Sequence, residues 1–199
     1  MYPSLTVLLN DEHLVTVAAH GLNIMQVSVF GNCVSHEIGH CDVSGGLYNE
    51  GPENVSLSWL PLPELLAEDE LTVRFLEAEA CSNPGRTLEE LYPEGLCSDT
   101  PWVPFEQAVD NLAQMPRLRE GFDFEITMPT GESLKATTKA GDHSYSFSVT
   151  WDWTRPAQAR VSLRSNSLKS LSERSGGHSH ARVKLSFGDE VRLRVESAK

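Results

Sequence analysis

Lysine is absent from the first 121 of the 199 residues, and arginine occurs there only as Arg74, Arg86, Arg117 and Arg119. Against these four cations stand 19 acidic residues, a balance of −15, whereas residues 122–199 carry 12 basic and nine acidic residues, a balance of +3. A surface so poor in cations repels a phosphate backbone, so nucleic acid is not expected as a partner of the N-terminal portion. No apolar run approaches the ~20 residues that a helix needs to cross a bilayer, which argues against a membrane partner. Met1-Tyr2-Pro3-Ser4 lacks the basic segment and apolar core of a secretory signal, so the expected location is cytoplasmic. Cysteine is sparse as well: Cys33, Cys41, Cys81 and Cys97 form no dense framework and suit a reducing compartment. Glycine-rich phosphate loops, nucleophile elbows and paired-cysteine redox motifs are all missing, which removes the commonest sequence signals of catalysis.

What is present is alternation. Hydrophobic residues make up 40% of the chain and charged residues 22%, a composition that folds. Asp69-Glu70-Leu71-Thr72-Val73-Arg74-Phe75 recurs 120 positions later as Asp189-Glu190-Val191-Arg192-Leu193-Arg194-Val195, each a polar turn followed by a half-buried strand. At the same shift Gly21 meets Gly141, Val29 meets Val149, and Cys41 and Val43 meet Val161 and Leu163. The expected fold is therefore mostly β: two tandem, related β-sandwich-like units of about six strands each, joined by a short helical connector. The boundaries are 1–78 for the acidic N-terminal unit, 79–121 for the connector and 122–199 for the second unit, related to the first by internal duplication. Whether the units form two small sandwiches or one pseudo-symmetric β-structure is open at this level.

Within the first unit the alternation predicts strands at Leu5–Leu9, Leu14–Ala19, Met25–Phe30, around Cys41–Val43 with an end at Gly45-Gly46, at Val55–Trp59 and at Glu70–Leu76. In the connector, Thr87-Leu88-Glu89-Glu90 has capping-box spacing, and a second helix is expected from Pro104 to Met115. Its stripe of Phe105, Val109 and Leu112 is expected to pack onto a β-unit. Ser165 to His180, with Gly176-Gly177, reads as a mobile loop flanked by a modest basic area. Trp151 and Trp153 share a strand face by parity, and core packing is the expected cover for that face.

One motif points to chemistry. His36-Glu37-Ile38-Gly39-His40 matches H-E-x-x-H and resembles the zincin peptidases over these five positions. On a helix, residues four apart lie on one face, so two imidazoles can reach a zinc ion while the glutamate activates its bound water. The resemblance implies His36 and His40 as ligands, Glu37 as base and Glu64 as a third ligand. The metzincin extension is not present, since Val43 and Gly46 stand where a glycine and a third histidine belong. If the segment is extended instead, His36 and His40 lie about 13 Å apart at ~3.3 Å per residue, too far to share a metal.

Two functions follow as expectations. The first is a non-enzymatic, bacterial-type binding or accessory protein with no cofactor, whose acidic N-terminal surface engages a basic protein partner. Size and charge alone would suit a toxin-neutralising protein of the immunity type. The second is a zinc-dependent metallopeptidase through the His36–His40 motif. The conformation of residues 34–43 discriminates between them.

Overall fold

The computed structural model describes residues 1–49, 54–60, 64–94 and 103–198. The fold is mostly β. The first half supplies β1 (Tyr2–Leu9), β2 (Glu12–Ala18), β3 (Ile24–Asn32), β4 (Gly39–Leu47), β5 (Val55–Leu60), β6 (Glu64–Leu65) and β7 (Glu70–Ala78). Two helices follow, α1 (Leu88–Leu91) and α2 (Phe105–Gln114). The second half supplies β8 (Phe122–Thr127), β9 (Ser133–Thr137), β10 (Asp142–Asp152), β11 (Gln158–Ser167), α3 (Leu168–Ser172), β12 (His178–Ser186) and β13 (Glu190–Ser197).

The strands form two sheets in a sandwich-like arrangement. Sheet A runs β2-β1-β7-β13-β8-β9, and sheet B runs β12-β11-β10-β3-β4-β5 with β6 added beside β4. Each sheet therefore contains strands of both halves, and their inner faces meet in one hydrophobic cluster. Of the two arrangements left open by the sequence, the halves adopt the one with a shared core. With β1–β5 and β7 set against β8–β12 and β13, both sheet orders read the same from either end.

The registers carry the same relation. At the β7–β13 junction Thr72 pairs with Arg192, and at the β3–β10 junction Ser28 pairs with Ser148. Both pairs are separated by 120 positions, the shift read from the sequence. Antiparallel pairing runs in opposite directions from such a centre, so Glu70–Arg194 is the counterpart of Arg74–Glu190. Val27–Val43 in β3–β4 likewise corresponds to Phe147–Leu163 in β10–β11. Further out the match loosens: Leu5 pairs with Phe75, whereas the equivalent pairing joins Phe124 to Val195, one residue out of step.

Alternation explains the core. Val27, Val29, Cys41 and Val43 point inward from one half of sheet B and Phe147, Val149, Val161 and Leu163 from the other, against Leu5, Val73, Phe75, Ile126 and Leu193 of sheet A. Each such side chain contributes ~1.5–3 kcal/mol relative to exposure.

Several local expectations need correction. Gly45-Gly46 does not end β4. A Cβ on Gly45 would lie 2.7 Å from the Ile24 carbonyl oxygen and one on Gly46 2.2 Å from that of Val55, so the glycines let neighbouring backbone approach inside the strand. The segment 165–180 is not a simple loop, because β11 runs to Ser167, whose hydroxyl caps α3. The α2 helix packs against α3, with Val109 buried and Arg174 lying over Phe105. Trp151 is buried, but Trp153 is 64% exposed, because β10 ends at Asp152 and the following turn breaks the parity. The capping box at Thr87 forms with both reciprocal hydrogen bonds. The Pro61–Pro63 part of the connection before β6 lies outside the described residues.

Candidate functional site

The H-E-x-x-H segment lies on no helix. Residues 33–38 form turns and bends between β3 and β4, and Gly39 and His40 are the first residues of β4. The helical face that would bring both imidazoles to one metal is therefore missing. His40 does stand opposite Glu64 in the β4–β6 pairing, and its Nε2 lies 4.0 Å from Glu37 Oε2. His36 is exposed and outside this group, and among the described residues no three His, Cys, Asp or Glu side chains are placed to hold a metal ion. The donor arrangement does not fit a peptidase zinc.

What the segment does is pack. Tyr145, buried in β10, donates its hydroxyl to the Ile38 carbonyl at 3.1 Å. Gly39 makes room for that hydroxyl, since a Cβ there would stand 2.3 Å from it. Burial raises the Tyr145 pKa and pushes the neighbouring Cys41 thiol up to about 12, so neither ionises near neutrality. From outside, Arg119 donates to the carbonyls of Glu37, His36 and Ser35 at 2.7, 2.8 and 3.0 Å. Arg117 donates to the Asp142 carbonyl at 2.9 Å and contacts Cys33 Sγ at 3.4 Å, while Leu118 N–H bonds the Cys33 carbonyl. The end of the connector thus fastens the bend to the second half of the chain.

A second polar cluster joins Asp142, Ser165, His178 and His180. The Asp142 carboxylate is fully buried and accepts from the Ser165 hydroxyl, from His178 Nδ1 at 3.0 Å and from the Lys139 backbone N–H at 3.0 Å. Ser165 Oγ also lies 2.7 Å from His180 Nε2. These are the residue types of a hydrolytic triad, but the proton order is wrong for one. Serine has a single proton, and the carboxylate takes it, so His180 must donate to Ser165 rather than withdraw its proton. Burial lowers the His180 pKa, with smaller contributions of the same sign from His178 and Lys139, opposed by Asp142. His143 is also depressed, by burial and then by Arg117, and its Nδ1 is buried without a partner among the described residues. The cluster is a strut that ties β10, β11 and β12 together.

Charge is segregated on the surface. On sheet A, Arg74 and Glu190 pair at 2.8 Å and Arg194 and Glu70 at 2.9 Å, with Arg192 bridging Glu190 and Glu70. The Arg74 hydrogen bond is the main reason the Glu190 carboxyl sits below its usual range. The β5–β6 edge of sheet B differs. Glu64 on β6, Glu68 in the turn that follows it, and Glu89 and Glu90 on α1, which packs against β5, are exposed, and none has an ion-pair partner among the described residues. The opposite end of the same sheet, β11 and β12, bears Arg160, Arg164, Arg182 and Lys184.

Cys41, which the repeat matches to the apolar Val161, is buried, and Arg74 and Arg194 of the duplicated strand are in salt bridges. The segment from Ser165 to His180 reads as a mobile loop in the sequence, whereas His178 and His180 are both tied into the Asp142 strut. The roles of Arg117 and Arg119 have one readable signal, since two of only four cations in 121 residues stand two apart. Among the described residues, no helix is long and apolar enough to cross a membrane. No protein-family model, curated protein or solved structure matches the chain.

Proposed function

We propose that this is a non-enzymatic binding or accessory protein that engages a basic protein partner through the acidic edge formed by β5, β6 and α1. The observation that carries this reading is the set Glu64, Glu68, Glu89 and Glu90, exposed and without ion-pair partners among the described residues. On sheet A, by contrast, Glu70 and Glu190 are neutralised locally by three arginines. An uncompensated edge keeps its field in solvent, where it accelerates encounter with a positive surface and selects against a negative one. The wiring of Ser165 and the bent His36–His40 segment support a scaffold role for the groups that otherwise suggest catalysis.

A cytoplasmic setting belongs to the same proposal, supported by the free thiols of Cys33, Cys41 and Cys81. So does descent of the two halves from a duplicated unit, supported by the matched registers at 120 residues.

The test is capture from a host lysate with the wild-type chain and with a variant carrying Glu64→Gln, Glu68→Gln, Glu89→Gln and Glu90→Gln. Glutamine at 90 preserves the capping box, so the variant removes charge and keeps the α1 start. A basic protein retained at low salt by the wild type and lost by the variant supports the reading. Equal retention by both contradicts it.

A further inference from the structure

The outer face of sheet B has a second character at its other end. Outward side chains of adjacent strands form rows: Asp42, Ser28, Ser148, Ser162 and Arg182 make one, and Ser44, Gln26, Thr150, Arg160 and Lys184 the next. Over β10, β11 and β12 the rows line an open groove of about 790 Å³. Its cations are Arg160, Arg164, Arg182 and Lys184; Ser162 stands between Arg160 and Arg164, and Ser148 lies beside it on β10. Arg160 is held by Asp152 at 2.7 Å and Arg164 reaches the Gly176 carbonyl, whereas Arg182 and Lys184 are exposed and have no ion-pair partner among the described residues.

We propose that this groove binds an extended, carboxylate-bearing segment of a protein partner. Charge complementarity gives the sign of the ligand. The geometry gives its form: Arg160 and Arg164 flank Ser162 on β11, and Arg182 and Lys184 stand two residues apart on β12. Outward positions on a strand recur every ~6.6–6.8 Å, and alternate side chains of an extended peptide recur at the same interval. Carboxylates at every second position therefore meet the cations in step, while the serine hydroxyls donate to the backbone or carboxylates between them. The lining contains no aromatic ring, so single-stranded nucleic acid finds no stacking platform. A long polyanion also meets the acidic edge at the far side of the same sheet, which a short segment avoids. The groove is separate from the acidic edge and does not depend on the proposal made for it.

The experiment uses a labelled peptide of alternating Glu and Ser, followed by fluorescence anisotropy at low ionic strength, with an oligothymidylate of equal charge as the comparison. The double variant Arg182→Ser/Lys184→Ser removes the two unpaired cations, and circular dichroism checks that the fold is kept. Saturable peptide binding, weakened about tenfold in the double variant and exceeding that of the oligonucleotide, is the expected result. Absence of saturable binding overturns the proposal and leaves Arg182 and Lys184 as charges that guard an edge strand against unwanted pairing. Equal peptide binding by both proteins overturns it too. Tighter binding of the oligonucleotide assigns the groove to nucleic acid instead.

Discussion

Thr72 faces Arg192 across the junction of the two halves, and the salt bridges Arg74–Glu190 and Arg194–Glu70 exchange places about that pair. Glu70 is the least exposed member of the network and accepts from both Arg192 and Arg194. Both arginines are a third exposed or more, so solvent screens much of each interaction. Glu70→Ala is expected to cost ~1 kcal/mol, a fall of ~2–4 °C in Tm, and to cost less at high salt. Thermal melts at two ionic strengths check this, and a loss independent of salt would assign the effect to packing.

Gly39 is the residue of the H-E-x-x-H segment on which the core depends most directly. Gly39→Ala drives a methyl group against the Tyr145 hydroxyl and is expected to destabilise by ~1–3 kcal/mol. His36→Ala, at an exposed bend, is expected to change stability by less than ~0.5 kcal/mol. Denaturant unfolding of the two variants gives the comparison, and the reverse ranking would return importance to the histidine.

Ser165 is a structural donor to Asp142, so it should be inert as a nucleophile. A fluorophosphonate probe is expected to leave it unlabelled in the native protein, and mass spectrometry reads the outcome directly. Ser165→Ala should still destabilise by ~1–3 kcal/mol, since it leaves the buried carboxylate and His180 each short of a partner.

His143 and His180 make stability depend on pH below neutrality. Both pKa values are depressed in the folded protein, chiefly by burial. Unfolded histidine takes up a proton near pH ~6.5, while the folded state resists it. The unfolded state therefore binds more protons in that window, and stability present above ~6.5 is lost as pH falls toward the depressed folded values. Unfolding free energies measured across this range should rise with pH, and His180→Gln should flatten part of the slope. An unchanged slope in that variant would remove His180 from the account.

The strand pattern was legible because alternation survives in nearly every strand, and the 120-residue shift was legible because inward positions such as Val29 and Val149 kept their parity. The sharing of sheets was not legible. Nothing local to Ser28 or Ser148 states that they pair with each other rather than within their own halves, because that choice is made by how two inner faces bury together. The Asp142 strut was hidden for a related reason: its members are separated by up to 38 positions and meet only after β10, β11 and β12 are in register. Gly39 was silent in the sequence, because it fills an unspecified position of H-E-x-x-H, and its cause is the space that Tyr145 needs.

If the acidic edge drives partner binding, the affinity of the captured partner depends on salt through Glu64, Glu68, Glu89 and Glu90. Titration calorimetry with the wild type and the four-glutamine variant, from low to high ionic strength, provides the measurement. Affinity is expected to fall steeply with salt for the wild type and to be weaker, with a flatter salt dependence, for the variant. Identical affinities with identical salt dependence would contradict it.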